Sequence, residues 1–128
     1  MNENELSRII VDVAIEVHRT LGGPGLLEGV YRDAMVFEIQ KRGLGVEKEK
    51  SIPIKYKGEV IGTPLRLDLL VGGLVILECK AVITYNAIFE SQVLTYLRLT
   101  DLKLGLVINF GQRLVKNGIH RVVNGLDE

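Results

Sequence analysis

Cysteine is nearly absent from this sequence: Cys79 is the only one among 128 residues. One cysteine cannot form a disulfide within the chain, and His18 and His120 lie far apart in sequence, so no cluster has zinc-ligand spacing. The first residues lack the basic start and apolar core of a signal peptide, and no apolar run is long enough to cross a membrane. These absences predict a reducing compartment, and we expect a cytoplasmic protein.

Net charge is also missing, because 16 basic and 16 acidic side chains balance. One copy is therefore not expected to bind nucleic acid tightly and non-specifically, although a local basic surface, or one assembled in a dimer or with a partner, is compatible with the balance. Hydrophobic residues at 47% and charged residues at 25% are typical of a globular protein. At this length the chain can bury a core without disulfides, which predicts one domain over residues 1–128.

Helical periodicity dominates the first part of the chain. Apolar side chains recur at helical spacing over residues 5–20, and Gly22-Gly23-Pro24-Gly25 ends this helix. A second helix is predicted from about Leu26 to Arg42, with Gly43 as its C-terminal cap. A third is predicted from about Asn86 to Leu99.

Strand patterns begin at Val46, where apolar and polar residues start to alternate. Pro53 favours an edge position for this first strand, and Gly58-Glu59 marks a turn into Val60-Ile61. The later predicted strands are Leu65 to Val71, Val75 to Ala81, the unbroken apolar run Leu104 to Phe110, and a hairpin of residues 114–116 and 119–123 around Asn117-Gly118. The predicted order is α-α-β-β-β-α-β-β-β, an α/β fold.

Three charged residues stand out on the two central predicted strands: Asp68, Glu78 and Lys80. Alternation places Glu78 and Lys80 on one face of their strand, opposite Val75, Leu77 and Cys79. Placing Val71 opposite Val75 makes Gly72-Gly73-Leu74 a three-residue loop and directs Leu67, Leu69 and Val71 to the same core. In that register Asp68 lies directly opposite Glu78, and Cys79 is a core residue.

Two carboxylates paired across strands repel each other unless positive charge lies between them. A divalent cation with hard oxygen ligands, Mg²⁺ or Mn²⁺, fits this position, and Lys80 can orient or activate a water there. The residues thus predict a hydrolytic metal site. The alternative is a solvated strand face with a surface ion pair.

The pattern of Asp68 followed by Glu78-Cys79-Lys80 resembles the PD-(D/E)XK nuclease superfamily, with Leu67 where the first motif residue is normally proline. Within that superfamily the chain is most similar to the GxxExxY protein family, because Gly25-Leu26-Leu27-Glu28-Gly29-Val30-Tyr31 reproduces the naming motif. The resemblance extends to residues 68–71, 92–98 and 105–111.

This resemblance implies a restriction endonuclease-like core, with a central mixed sheet flanked by helices. It implies that Glu28 lies near the metal site as a further ligand or as a residue that holds water, with Tyr31 one turn further on. Gln92 and Tyr96 share a face of the third helix. The resemblance implies that Gln92 contacts metal-bound water or phosphate.

The function that the resemblance implies is metal-dependent hydrolysis of phosphodiester bonds in DNA or RNA. Two alternatives remain open: a non-catalytic module with the nuclease fold that serves in binding or assembly, and a phosphoryl hydrolase acting on a smaller nucleotide. Zero net charge favours the binding module, and the intact Asp68, Glu78 and Lys80 favour the enzyme. A small neutral domain needs a second basic surface to hold a long polyanion, which predicts a homodimer.

Overall fold

A computed structural model describes residues 1–127 of the chain. The elements follow one another in this order: helices α1 (Glu3–Thr20) and α2 (Glu28–Lys41), strands β1 (Val46–Tyr56), β2 (Glu59–Val71) and β3 (Val75–Lys80), helix α3 (Ile88–Thr100), strand β4 (Leu104–Asn109), a short 3-10 helix (Val115–Gly118) and strand β5 (Ile119–Val123). The predicted helices are all present, with ends that differ from the predictions by one or two residues.

The first helix begins earlier than its apolar periodicity indicates because it has a capping box. The side chain of Asn2 accepts a hydrogen bond from the Glu5 N–H at 2.8 Å, and the Glu5 side chain accepts one from the Asn2 N–H at 3.1 Å. This reciprocal pair satisfies backbone donors that the helix leaves free. It fixes the start of α1 at Glu3.

The strands form one mixed sheet in the order β1-β2-β3-β4-β5. Strands β3 and β4 run parallel and the other neighbours antiparallel. A parallel pair needs a crossover connection, which α3 supplies. One apolar core packs α1 and α2 against the sheet, and a second packs α3 against the other face. The predicted α/β fold, a mixed sheet flanked by helices, is confirmed.

The edge position predicted from Pro53 is also confirmed, because β1 is the outermost strand. Its register with β2 shifts between Ile52 and Ile54, at the proline, which has no N–H to donate to a ladder. Beyond the turn at residues 57–58, β2 is one long strand from Glu59 to Val71. It includes both the segment Val60-Ile61 and the strand predicted from Leu65.

Residues 114–116 do not form the predicted first strand of a C-terminal hairpin. The Asn117 N–H donates to the Leu114 carbonyl at 3.1 Å and closes a 3-10 turn, while Val115 is buried in the first core. Strand β5 pairs antiparallel with β4 instead, with Ile119 opposite Ile108. Asn117-Gly118 therefore does lie in a turn, but β5 pairs with β4 of the main sheet and not with residues 114–116.

The cores confirm the predicted alternation in β3 and correct the one in β2. In β3, Leu77 and Cys79 lie in the first core and Ile76 in the second. In β2, Leu69 lies in the first core whereas Leu67 lies in the second, so the prediction that both face the same core is wrong. The alternation breaks between them, at Asp68.

Cys79 is fully buried in the first core, as predicted. Burial raises the pKa of its thiol well above the ordinary value, so the reactive thiolate is scarce. We expect the native protein to react slowly with a thiol reagent and the rate to rise as urea unfolds it. A Ser91→Cys variant supplies the control, because residue 91 is exposed on α3 and its thiol should react at once. Two rapidly labelled thiols in that folded variant would contradict the placement of Cys79.

Candidate active site

The site lies where β2 and β3 separate. Their ladder pairs Val71 with Val75 and Leu69 with Leu77, which confirms the predicted three-residue loop of residues 72–74. The ladder ends at this second pair. One residue further along each strand lie Asp68 and Glu78, whose carboxylates accept hydrogen bonds from the backbone of the opposite strand.

Two hydrogen bonds from backbone N–H groups to carboxylates join β2 and β3 at Asp68 and Glu78. The Asp68 N–H donates to Glu78 Oε2 at 2.8 Å, and the Cys79 N–H donates to Asp68 Oδ2 at 3.0 Å. Each carboxylate therefore accepts from a backbone N–H of the opposite strand. The two acidic groups lie side by side because each accepts from the other strand.

The strand on the other side of β2 is also irregular at this level. Lys48 pairs with Leu69 and Lys50 with Leu67, which leaves Glu49 at the level of Asp68. Glu49 has a φ of 53°, a left-handed conformation that is uncommon for a residue with a side chain. The break in alternation at Asp68 thus involves both neighbouring strands.

Glu78 is the most perturbed carboxyl group of the site, with only 8% of the residue exposed. Burial is the main cause that raises its pKa to about 7, and the neighbouring Asp68 carboxylate adds to the effect. The hydrogen bond from the Asp68 backbone and the positive charge of Lys80 act in the opposite direction. Close to neutral pH, this group is therefore poised between its two protonation states.

Lys80 lies on the same side of β3 as Glu78, as predicted. Its Nζ lies 4.6 Å from the centroid of the Phe89 ring, on α3. Phe89 packs edge-on against Tyr85, with the two ring centroids 5.5 Å apart. This aromatic contact positions the Lys80 ammonium group while its charge stabilises the ionised forms of both Glu78 and Glu28.

Glu28 begins α2 and is half-buried near the same charges. Burial raises the pKa of Glu28, Lys80 lowers it and Asp68 raises it. Across residues 1–127, no three Asp, Glu, His or Cys side chains lie close enough together to hold a metal ion. The charges of Lys80 and Asp68 therefore act on Glu28. Glu28 does not, however, complete a three-carboxylate cluster with Asp68 and Glu78.

Arg32 is a component of the site that the sequence analysis missed. Its Nη1 donates to Asp68 Oδ1 at 3.2 Å, and its Nη2 lies 3.9 Å from Glu49 Oε1. Its Nε is buried and has no hydrogen-bond partner among the described residues. The available signal is its spacing of four from Glu28, which indicates a shared helical face, but that spacing predicts a pair with Glu28 instead.

Tyr31 and Tyr96 hold different positions relative to the carboxylates. Tyr31 is fully buried and stacks on Phe110, and its hydroxyl donates to the Gly23 carbonyl at 2.7 Å. It also accepts from the Leu26 N–H at 3.2 Å, so it fastens the loop that leads into Glu28. Tyr96 on α3 is half-buried, and after burial itself, Glu78 and Asp68 are the groups that raise its pKa.

Gln92 lies one helical turn before Tyr96 and is exposed. The spacing of four places the two residues on one side of α3. No hydrogen bond ties the Gln92 side chain to Asp68, Glu78 or Lys80 among the described residues. Gln92 is thus available to a ligand at this face.

The segment after Lys80 is fixed by Asn109 at the end of β4. Asn109 Nδ2 donates to the Val82 carbonyl, and its Oδ1 accepts from the Val82 N–H, both at 3.0 Å. Oδ1 also accepts from the Gly111 N–H at 3.0 Å. A Cβ added to Gly111 would lie 2.3 Å from the Val82 carbonyl oxygen, so only glycine fits there. These contacts hold Lys80 and the following loop in place.

The donor chemistry at this site fits a hard divalent cation. Asp68 and Glu78 supply carboxylate oxygens side by side, and Glu78 Oε1 has no hydrogen-bond partner within residues 1–127. Nearby like charge and burial both disfavour the ionised Glu78, and a bound cation would relieve the repulsion. Carboxylates with open positions for water suit Mg²⁺ or Mn²⁺.

Replacing Glu78 by Gln should stabilise the cation-free protein. The raised pKa means that ionised Glu78 destabilises the fold: this effect is absent below pH 4.5, the ordinary value, and complete above about 7. It amounts to roughly 3 kcal/mol at most. The amide oxygen that Glu78→Gln introduces can still accept from the Asp68 N–H. We expect urea unfolding in EDTA at about pH 8 to show a gain of roughly 1–3 kcal/mol.

The gain should vanish as the pH falls to about 4.5. Glu59→Gln serves as the control, since Glu59 is exposed in the β1–β2 hairpin and has no ion pair among the described residues. It should change stability by less than about 0.5 kcal/mol. A Glu78→Gln protein that is less stable than wild type at the higher pH would contradict this account of the pair.

Comparison with known families gives one match. The family model of the PD-(D/E)XK nuclease superfamily covers residues 4–122, which includes all the elements described above except the last residue of β5 and the start of α1. Searches of curated proteins and of solved structures found no match. The similarity to the GxxExxY family stays a prediction. Because this family match covers nearly the whole chain, the chain belongs to the PD-(D/E)XK nuclease superfamily.

Proposed function

We propose that residues 1–128 act as one nuclease domain that hydrolyses phosphodiester bonds of nucleic acid with the help of Mg²⁺ or Mn²⁺. The observation that carries this proposal is that the carboxylates of Asp68 and Glu78 each accept from the backbone of the opposite strand, with the Lys80 charge acting on both Glu78 and Glu28. Two carboxylates and an ammonium group from neighbouring strands are the components that a hydrolytic phosphodiesterase needs.

Asp68 and Glu78 would hold the cation. When bound, it supplies positive charge against the negative charge that develops on the phosphoryl oxygens. Lys80 orients the attacking water and stabilises developing charge from a position fixed by Phe89. Glu28 holds that water through its half-buried carboxylate, and Gln92, exposed on α3, contacts the phosphate.

Arg32 gives weight to the second candidate, a non-catalytic binding or assembly module. It already neutralises Asp68, and a cation at the pair would compete with this contact. The Arg32–Asp68 pair is partly buried, so it contributes more than a fully exposed pair does. For the protein to act as a metal-dependent enzyme, the cation must therefore bind Asp68 tightly enough to compete with Arg32.

Cation binding should raise the melting temperature of the wild-type protein. A ligand that binds only the native state stabilises it by about 2.7 kcal/mol at a concentration of 100 times its dissociation constant. We expect a shift of several degrees with millimolar Mg²⁺ or Mn²⁺ over EDTA. Asp68→Asn should abolish the shift and keep the fold, and Asp12→Asn, at an exposed position on α1, should retain it.

Cleavage separates the two candidate functions. Lys80→Ala should keep the melting shift but lose cleavage of single-stranded, duplex and branched DNA and RNA, whereas Lys103→Ala should keep both. A melting shift without cleavage of any of these substrates would favour the binding module. Failure of both cations to change the melting temperature would contradict the assignment of the site.

Self-association is a separate part of the proposal. The β1–β2 hairpin exposes Tyr56, Val60 and Ile61 beyond the level at which β3 pairs with β2, so a second copy would cover apolar surface there. We expect light scattering at high micromolar concentration to show a dimer, and Val60→Glu to shift it to monomer. Wild-type protein that stays monomeric at that concentration would contradict this part.

We also propose a cytoplasmic location, since the one cysteine is a free thiol buried in the core. No helix within residues 1–127 is long and apolar enough to cross a membrane.

A further inference from the structure

Two cavities lie outside the candidate active site, and neither is lined by Asp68, Glu78 or Lys80. The larger has a volume of about 470 Å³ and lies between the end of α1 and the segment before the 3-10 helix. We call it the basic cavity; its lining includes Ile15, Arg19, Arg113, Leu114, Val115 and Lys116. The other has a volume of about 420 Å³. We call it the bridging cavity; its lining includes Pro24, Leu26, Ala81, Ile83 and Gly111.

Adjacent chain segments link the two cavities to the residues of the candidate active site. On one wall, Gly23 of the basic cavity precedes Pro24, and the loop continues through Leu26 to Glu28. On the other, Ala81 directly follows Lys80, and Gly111 is two residues from Arg113. Residues 81–83 and 110–113 follow the ends of the parallel strands β3 and β4. These chain connections are the basis for placing one extended ligand at both the active site and the basic cavity.

Positive charge is concentrated at the basic cavity although the chain has no net charge. Its lining contains no acidic residue. Arg19 pairs with Glu16, but Arg113 and Lys116 are exposed and have no ion pair within residues 1–127. The lining also includes apolar side chains, those of Ile15, Leu114 and the buried Val115. An anionic group joined to an apolar group matches this combination.

The walls of the bridging cavity are fixed in advance. Tyr31 fastens one wall by its hydrogen bonds to Gly23 and Leu26. Asn109 fastens the other by its pair of hydrogen bonds to Val82, and Gly111 approaches that residue too closely to carry a side chain. Binding here does not require the two loops to become ordered, which lowers its entropic cost.

We propose that the basic cavity is a nucleotide subsite for the substrate of the active site. Arg113 and Lys116 bind a phosphate of the nucleic acid beyond the scissile bond, and the base or sugar of that nucleotide lies against Ile15 and Leu114. The cavity volume lies within the range of about 300–1,000 Å³ that is usual for small-ligand sites. The subsite rests on the proposed nuclease function, since it is the same nucleic acid chain that reaches the carboxylates.

The test is binding of wild type and of Arg113→Gln/Lys116→Gln to fluorescent single-stranded DNA and RNA of about 12 nucleotides. Anisotropy is measured in EDTA, so that the oligonucleotide stays intact, over a range of salt concentrations. The double variant should bind about tenfold more weakly, and its slope of log K against log salt should fall by about 1 to 2. Both replaced residues are exposed, and circular dichroism verifies that the variant is folded.

Arg42→Gln/Lys103→Gln is the matched control, because it removes the same charge far from the basic cavity. Arg42 follows the C-terminal end of α2, and Lys103 precedes the start of β4, whereas the cavities lie near the start of α2 and the end of β4. Both control residues are exposed. The control should bind as wild type does. Equal weakening in both double variants, or weakening in neither, would overturn the subsite.

Cleavage kinetics distinguish failure of the subsite from failure of the proposed function. If wild type cleaves, the double variant should raise KM for the long oligonucleotide and leave kcat unchanged, because the subsite contributes binding away from the reacting atoms. Cleavage with an unchanged KM would overturn the subsite and leave the nuclease intact. Selective loss of binding in a protein that cleaves none of these substrates would support nucleic acid binding at the basic cavity and favour the binding module over the nuclease.

Discussion

Two hydrogen bonds from backbone N–H groups to carboxylates on the neighbouring strand determine the geometry of this molecule's centre. They end the β2–β3 ladder and satisfy the donors that the ladder leaves behind, so β2 can diverge with β1 into a long hairpin. The same bonds place Asp68 beside Glu78 despite their repulsion. They also account for the change of face between Leu69 and Leu67, which brings Leu67 under α3. The chemistry of the site and the course of the strand therefore have one cause.

The two carboxylates are not neutralised equally. Arg32 reaches Asp68 from α2, on one side of the sheet, whereas Lys80 inclines towards Phe89 of α3, on the other. Asp68 consequently has a direct cationic partner, and Glu78 has only the weaker influence of Lys80. Burial then raises the pKa of Glu78 to about 7. Because Glu78 lacks a direct cationic partner of the kind that Asp68 has in Arg32, the two carboxylates form a candidate cation site and not a neutralised ion-pair network.

Local sequence signals were enough for much of the fold. Periodicity predicted the helices and the shared face of Glu78 and Lys80, Pro53 predicted the edge strand, and the matching of two apolar strand faces predicted the loop of residues 72–74. Periodicity could not predict the break at Asp68, since a bond from a side chain to a distant backbone has no period. Arg32 was missed because its spacing from Glu28 offered a simpler local partner. The basic cavity was invisible for a different reason: Arg19 and Lys116 are almost a hundred residues apart, and a balanced total charge conceals their convergence.

That convergence resolves the tension between a nuclease fold and a neutral chain. A polyanion approaching Asp68 and Glu78 alone meets like charge, and zero net charge provides no long-range attraction to offset it. Arg113 and Lys116, in the segment that follows β4, would supply local attraction away from the carboxylates. In the proposed nuclease, binding and reaction would then be assigned to different charges: the basic cavity would hold the nucleic acid, and a cation at the acidic pair would offset the repulsion there. On this proposal, nucleic acid binding depends on the local segregation of charge and not on its total.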